Sequence, residues 1–188
     1  VSERIDAFLA VSDWHGRTIS EASRFPLEKI WVIRNGIKRD YFTGTEQRQR
    51  KRLIYSSTPY RGLQLLPAIF PAIRAQHPDA ELHVFSGYDV YAGPDRKFDS
   101  QAVGEFQALR SVLEKLPGCF VHGNVSQRQL AREFMRSSIL CYPNTFEETS
   151  CITALEAQAA GCAIVSSNYG ALPETVGDSG ILIAGTPG

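Results

Sequence analysis

The sequence predicts an α/β fold built on a parallel sheet with helices on both faces, and three observations carry that expectation. Short apolar runs alternate with longer amphipathic ones along most of the 188 residues. The short runs are almost wholly apolar, as strands are when both faces of a sheet are covered, not alternating as in a half-exposed sheet. Most of them end in Ser, Gly, Asn or Pro, the residues that stop strands and open loops. Strand–helix repetition with right-handed crossovers then gives a doubly wound, Rossmann-like domain from about residue 45 to the end.

In chain order the strand candidates are 8–12 (FLAVS), 31–34 (WVIR), 53–57 (LIYSS), 82–87 (LHVFSG), 119–123 (CFVHG), 139–143 (ILCYP), 163–167 (AIVSS) and 181–185 (ILIAG). Between them, 62–78 reads as a helix with Leu63, Leu66, Ile69, Phe70 and Ile73 on one face, kinked or shortened by Pro71. Residues 101–118 repeat apolar positions up to the stop at Pro117-Gly118, and 126–138 open on a Ser N-cap. An Ala-rich helix over 150–160 closes at Gly161. Residues 1–44 hold two strands and a helix, followed by a polar stretch, GTEQRQRKR (44–52), that reads as a linker or surface loop. On pattern alone they are equally the tail of another domain or extra elements on the same one.

Composition narrows the function. Lys plus Arg equals Asp plus Glu at 20 each, so no global field draws nucleic acid or an anionic membrane. No apolar run approaches the ~18 residues of a membrane span. The N-terminus lacks a secretion signal and opens on Val1, which suggests a piece of a longer protein. The four cysteines, Cys119, Cys141, Cys151 and Cys162, form no C-x-x-C pair and read as small buried hydrophobes of a reducing cytoplasm.

In a doubly wound sheet, ligands bind outside the carboxyl ends of the strands. That selects the loops 56–62, 86–100, 122–126, 143–150 and 167–174. The segment FEETSCITALEAQAAG (146–161) is the most informative. Free N–H groups at a helix start near Ser150 make an anion site suited to phosphate. Glu148 and Glu156 would repel a phosphate, so they should face something neutral; a carboxylate matches a sugar diol. Eight helical residues advance about 12 Å and return within roughly 80° of the same face, so the pair could flank the helix start. Sugar, diphosphate and second sugar in sequence is the layout of a nucleotide sugar. On spacing alone, a plain helix-start glutamate and a surface glutamate fit slightly better.

In TPYRG (58–62), Arg61 offers a planar fork suited to phosphate oxygens, although in isolation a solvated surface arginine fits the pattern better. No G-x-G-x-x-G, P-loop or G-x-S-x-G is present. His122 has no carboxylate or cysteine at ligand spacing, so it reads as structural and no metal is expected.

Taken together, these loops resemble the donor-binding, C-terminal half of the retaining glycosyltransferases of group 1, which have the GT-B fold. EETSCITALEAQAAGCAIVSSNYGALPETVGDSGILI is similar to that family's E-x7-E block with its following glycine, strand, GG-x-P-E and G-x-L; here these are Glu148, Glu156, Gly161, Gly170 to Glu174 and Gly180. FVHGNVSQRQLAREFMRSSILCYPN resembles the segment of the nucleobase pocket, and AFLAVSDWHGRTI with KIWVIRNGIKRDYF the hinge-side tail of the N-terminal domain. The resemblance implies that 1–44 are that tail and hinge, and that 45–188 are the nucleotide-sugar-binding domain without its C-terminal helices.

It also implies roles. Glu156 would bind ribose hydroxyls, and Glu148, counted catalytic, those of the transferred sugar. Amides at Ser150, Cys151 and Ile152, beside Thr149, would hold the diphosphate. Arg61, before Gly62, would neutralise the phosphates, and Gly123 would border the base. Ser150-Cys151 stand where the family commonly has Phe-Gly, and no arginine occupies YSSTP, where the family has a second phosphate cation. The implied activity is transfer from a UDP-, GDP- or ADP-linked sugar with retention, without cofactor or metal. The acceptor is an unspecified glycan or lipid, and the setting is cytoplasmic, peripheral to the membrane in the full-length protein. Alternatives are a GT-B epimerase or phosphorylase, or a nucleotide-binding module without transfer.

Overall fold

A computed structural model describes residues 4–88 and 100–184 of the chain. Residues 89–99 of the expected loop 86–100 lie outside the described residues. An N-terminal unit is built from β1 (Phe8–Ala10), α1 (Asp13–Ser23) and β2 (Ile30–Val32), with the two strands paired in parallel.

The rest is one sheet with its crossover helices: β3 (Arg52–Ser56), α2 (Leu66–Gln76), β4 (Glu81–Phe85), α3 (Ser100–Glu114), β5 (Cys119–Val121), α4 (Gln127–Arg136), β6 (Ile139–Tyr142), α5 (Ile152–Ala159), β7 (Ala163–Ser167), α6 (Leu172–Val176) and β8 (Gly180–Ile183). The strand order is β5-β4-β3-β6-β7-β8, with every pairing parallel. All five residues of β3 are buried, as the centre of a covered sheet requires of its apolar Leu53, Ile54 and Tyr55, with Arg52 paired to Glu133. The chain winds outward from β3 to β5, returns beside β3 as β6, and winds the other way, so the switch point falls between β3 and β6. Tyr55, Leu66, Phe70, Leu82, Phe134, Leu140, Ile164 and Leu172 form the centre of the core.

Three expectations change. Pro71 lies inside α2, which runs on to Gln76. The helix expected from Ser150 begins at Ile152, with Cys151 as its N-cap residue. The polar stretch 44–52 is a strap: the Arg48 guanidinium donates to the carbonyls of Ser137, Ala160 and Gly161, and Gln49 N–H donates to Arg136 O at 2.9 Å. It thereby satisfies carbonyls left over where α4 and α5 end.

The N-terminal unit is fastened to the large sheet by polar contacts. Ser12, the N-cap of α1, accepts from His15 N and donates to Thr149 O at 2.6 Å. Asp13 N and Trp14 N both donate to the Glu174 carboxylate at 3.0 Å, and Arg34 pairs with it at 2.7 Å. Among the described residues, no helix is long and apolar enough to cross a membrane.

Candidate functional site

A cavity of about 370 Å³ opens at the carboxyl ends of β3, β4 and β5 and the loop after β6. Ser56 to Thr58 and Arg61 bring one wall, Phe85, Gly87 and Gly123 to Val125 another, and Glu148 to Thr153 with Glu156 a third. Thr153 Oγ1 donates to Ser56 O at 2.8 Å, which draws the first turn of α5 against the end of β3.

Seven predicted site residues therefore share one cavity wall or face it: Arg61, Glu148, Thr149, Ser150, Cys151, Ile152 and Glu156, with Gly123 on the opposite strand end. Gly62 is the exception. At φ 94° it packs against the backbone of the β6 loop, and a Cβ there would sit 1.8 Å from Pro143 O. Its role is to let the β3 and β6 loops meet, and it does not line the cavity.

Glu148 does not face only neutral groups. It is 3% exposed, and its Oε1 accepts from Arg61 at 2.8 Å and from the Tyr142 hydroxyl at 2.6 Å. The Arg61 guanidinium also lies 4.6 Å from the centre of the Phe146 ring. The backbone of Glu148 is fixed from the next loop. Ala171 N–H donates to its carbonyl at 2.7 Å, and Gly170, at φ 61°, packs so closely that a Cβ would lie 2.7 Å from the same oxygen. The segment Gly170-Ala171-Leu172-Pro173-Glu174 thus has two jobs: its start cradles Glu148, and its end caps α1.

Glu156 differs from Glu148. It sits within α5, 9% exposed, faces the cavity, and makes no side-chain hydrogen bond or ion pair among the described residues. Burial pushes its carboxyl up to about 7. A carboxyl in that state keeps hydrogen-bonding capacity that no side chain among the described residues uses.

Cys151 has an ordinary φ of −82° and is 2% exposed, its side chain part of the buried core. Burial, reinforced by nearby Glu148, pushes its thiol up to about 12. Burial likewise raises Cys119 and Cys141 to about 11, and all four cysteines are free and buried, so none is a thiolate nucleophile at neutral pH.

His122 is structural. It stacks on Phe85 at 4.5 Å and on His83 at 5.2 Å, behind the Phe85 wall of the cavity. Burial holds both histidines below the usual range, and Arg52 Nη2 lies 3.0 Å from His83 Nδ1. Among the described residues no three metal-ligating side chains converge.

Sequence reading did not single out Thr58, Tyr142 or Phe146 at this site. An aromatic residue inside the polar loop PNTFEETS was the available signal for Phe146. Thr58 and Tyr142 carried none.

The family model described as "Glycosyl transferases group 1" matches residues 50–187. Among curated proteins, the MMP alpha-(1->4)-mannosyltransferase of Mycolicibacterium hassiacum is 27% identical over 183 residues, covering 96% of this chain and 41% of that protein. The lipopolysaccharide 1,2-N-acetylglucosaminetransferase of Salmonella typhimurium is 26% identical over 167 residues, covering 82% of this chain and 42% of that protein. The chain thus spans less than half the length of these relatives. Among solved structures, a glycosyltransferase from Rickettsia africae superposes with TM-score 0.73 at 17% identity, over 97% of this chain and 49% of that one. The Anabaena protein HepE in complex with UDP-glucose gives TM-score 0.72 at 16% identity, over 100% of this chain and 51% of that one. A model matching residues 50–187 covers well over half of the chain, including every residue of the cavity wall. The chain belongs to the group 1 glycosyl transferases.

Proposed function

We propose that this chain is the donor-binding, C-terminal half of a GT-B glycosyltransferase that transfers a hexose from a nucleoside diphosphate sugar with retention of configuration. The observation that carries the reading is the Glu156 carboxyl, buried, unpartnered and facing a cavity at the switch point of the sheet. Such a group fits the ribose diol. Glu148, fixed by Tyr142, Arg61 and Ala171 N–H, holds hydroxyls of the transferred sugar and orients its reacting carbon. Thr149, Ser150, Cys151 and Ile152 bring backbone amides toward the diphosphate at the start of α5. Arg61 offsets charge on the leaving diphosphate, and Gly123 borders the base.

Positioning and electrostatic stabilisation of the leaving group then supply the rate, without a strong base and with no divalent metal. HepE crystallises with UDP-glucose and the pneumococcal GtfA with UDP and GlcNAc, which supports a nucleotide-sugar donor here. Residues 1–44 are the tail and hinge of an N-terminal domain that brings a glycan or lipid acceptor. The whole enzyme is cytoplasmic, peripheral to the membrane, and the 188-residue chain alone binds donor without turning it over.

Calorimetric titration of the chain with UDP, GDP and ADP tests the donor site, and one of the three is expected to bind. If none binds at millimolar concentration the reading fails; if Glu156→Ala leaves the affinity unchanged, the ribose role is wrong. NMR of the product anomer from the full-length enzyme tests retention.

A further inference from the structure

The Thr58 hydroxyl stands out in the cavity wall. Thr58 is 6% exposed and lines the cavity, and its Oγ1 is buried with no hydrogen-bond partner. Native folds rarely leave a buried hydroxyl unpaired, because the lost hydration is not returned. The local structure holds it there. The Thr58 carbonyl accepts from the Tyr55 hydroxyl at 3.0 Å and from Arg61 N–H at 3.2 Å, so its backbone is pinned from both sides.

The hydroxyls of Thr153, Ser57 and Tyr142 are already engaged. Thr153 donates to Ser56 O at 2.8 Å, and Ser57 Oγ and the Tyr142 hydroxyl lie 3.3 Å apart, with Tyr142 also bound to Glu148. The charge balance also matters. Residues 55–59 contain no basic side chain, and Arg61 is already opposed by Glu148 at 2.8 Å. A diphosphate entering this cavity meets a partly offset guanidinium, so neutral donors must carry much of its recognition.

We propose that Thr58 Oγ1 is such a donor, giving its hydrogen bond to a phosphate oxygen of the bound nucleoside diphosphate, together with the amides at the start of α5. This rests on the donor-site reading above and adds a recognition residue from the β3 side. Its mark is a pair of effects of opposite sign: the hydroxyl strengthens ligand binding and weakens the empty fold.

The test is Thr58→Val, which keeps the shape and removes the hydroxyl, with Thr58→Ser as the variant that retains it. UDP, GDP and ADP are titrated into each protein by calorimetry, and the melting temperature of the ligand-free chain is recorded. Thr58→Val is expected to weaken the best-bound diphosphate about tenfold, the scale of one hydrogen bond to a charged group. The same variant melts at or above the wild-type temperature, and Thr58→Ser binds within about twofold of wild type. Unchanged affinity in Thr58→Val overturns this inference alone. Loss of affinity together with a lowered melting temperature overturns it too, since that is the signature of a structural role. A wild type that binds none of the three nucleotides removes the donor site and the Thr58 contact with it.

Discussion

Donor binding should be linked to the proton on Glu156. Burial pushes this carboxyl up to about 7, and only its ionised form accepts through both oxygens at once, as the two hydroxyls of a ribose diol require. If binding selects the ionised form, affinity follows its population, about one half at pH 7 and about one tenth at pH 6. A nucleoside diphosphate sugar should therefore bind about tenfold more weakly at pH 6 than at pH 8, releasing about 0.9 proton per site at pH 6. Calorimetry in two buffers of different ionisation enthalpy measures both quantities. Glu156→Gln should bind weakly with no pH slope over this range. The empty protein shows the same linkage with the sign that a raised carboxyl demands. The folded state holds the proton more tightly than the unfolded one, so the stability is complete below about 4.5 and is lost as pH rises through about 7. Glu156→Gln removes that loss. The ligand-free variant should exceed wild type by on the order of 2 kcal/mol at pH 8, after discounting the ideal 1.36 kcal/mol per unit for residual contact with water, and match it at pH 4.5. Equal wild-type affinity at pH 6 and pH 8, or the same slope in Glu156→Gln, refutes the reasoning.

Arg61→Met strands the buried Glu148 carboxylate, so urea denaturation should show a loss of about 3 kcal/mol, mostly recovered when Glu148→Gln is added. A double variant as unstable as the single one would show that the pair is not what holds this corner together. Gly62→Ala drives a Cβ into Pro143 O at a φ that disfavours any side chain, and should lower stability by more than about 2 kcal/mol, read as a drop in melting temperature. Glu174→Ala frees Asp13 N–H and Trp14 N–H, whose hydrogen exchange should accelerate about tenfold while the β3 amides stay protected.

All eight strands were legible, because near-uniform apolarity between turn residues leaves little else for such runs to form. Helix ends were less so. Pro71 lies one turn beyond Pro67 near the start of α2, and its local signal is that of a stop, yet the helix runs on to Gln76 with Leu66 and Phe70 buried. The cavity wall at Glu148 to Glu156 was legible because a strand-end loop and a helix start are contiguous in sequence. The Arg61–Glu148 pair was not, since 87 positions separate the two residues and neither shows its partner locally. Gly62 was read as a ligand contact because an Arg-Gly turn looks the same whether the glycine admits a ligand or another loop; only Pro143 decides it. The contacts of Ser12 and Glu174 escaped for the same reason of distance.

The Ser12–Thr149 hydrogen bond has a mechanical consequence. Thr149 lies between the buried carboxylate of Glu148 and the amides that open α5, and its carbonyl is tied at 2.6 Å to the cap of α1. Any swing of the β1–α1–β2 unit against the large sheet must pull on that carbonyl or break the tie. The loop that would grip the donor is therefore one of two polar ties among the described residues, the other at Glu174, through which a displacement of the N-terminal unit reaches the large sheet.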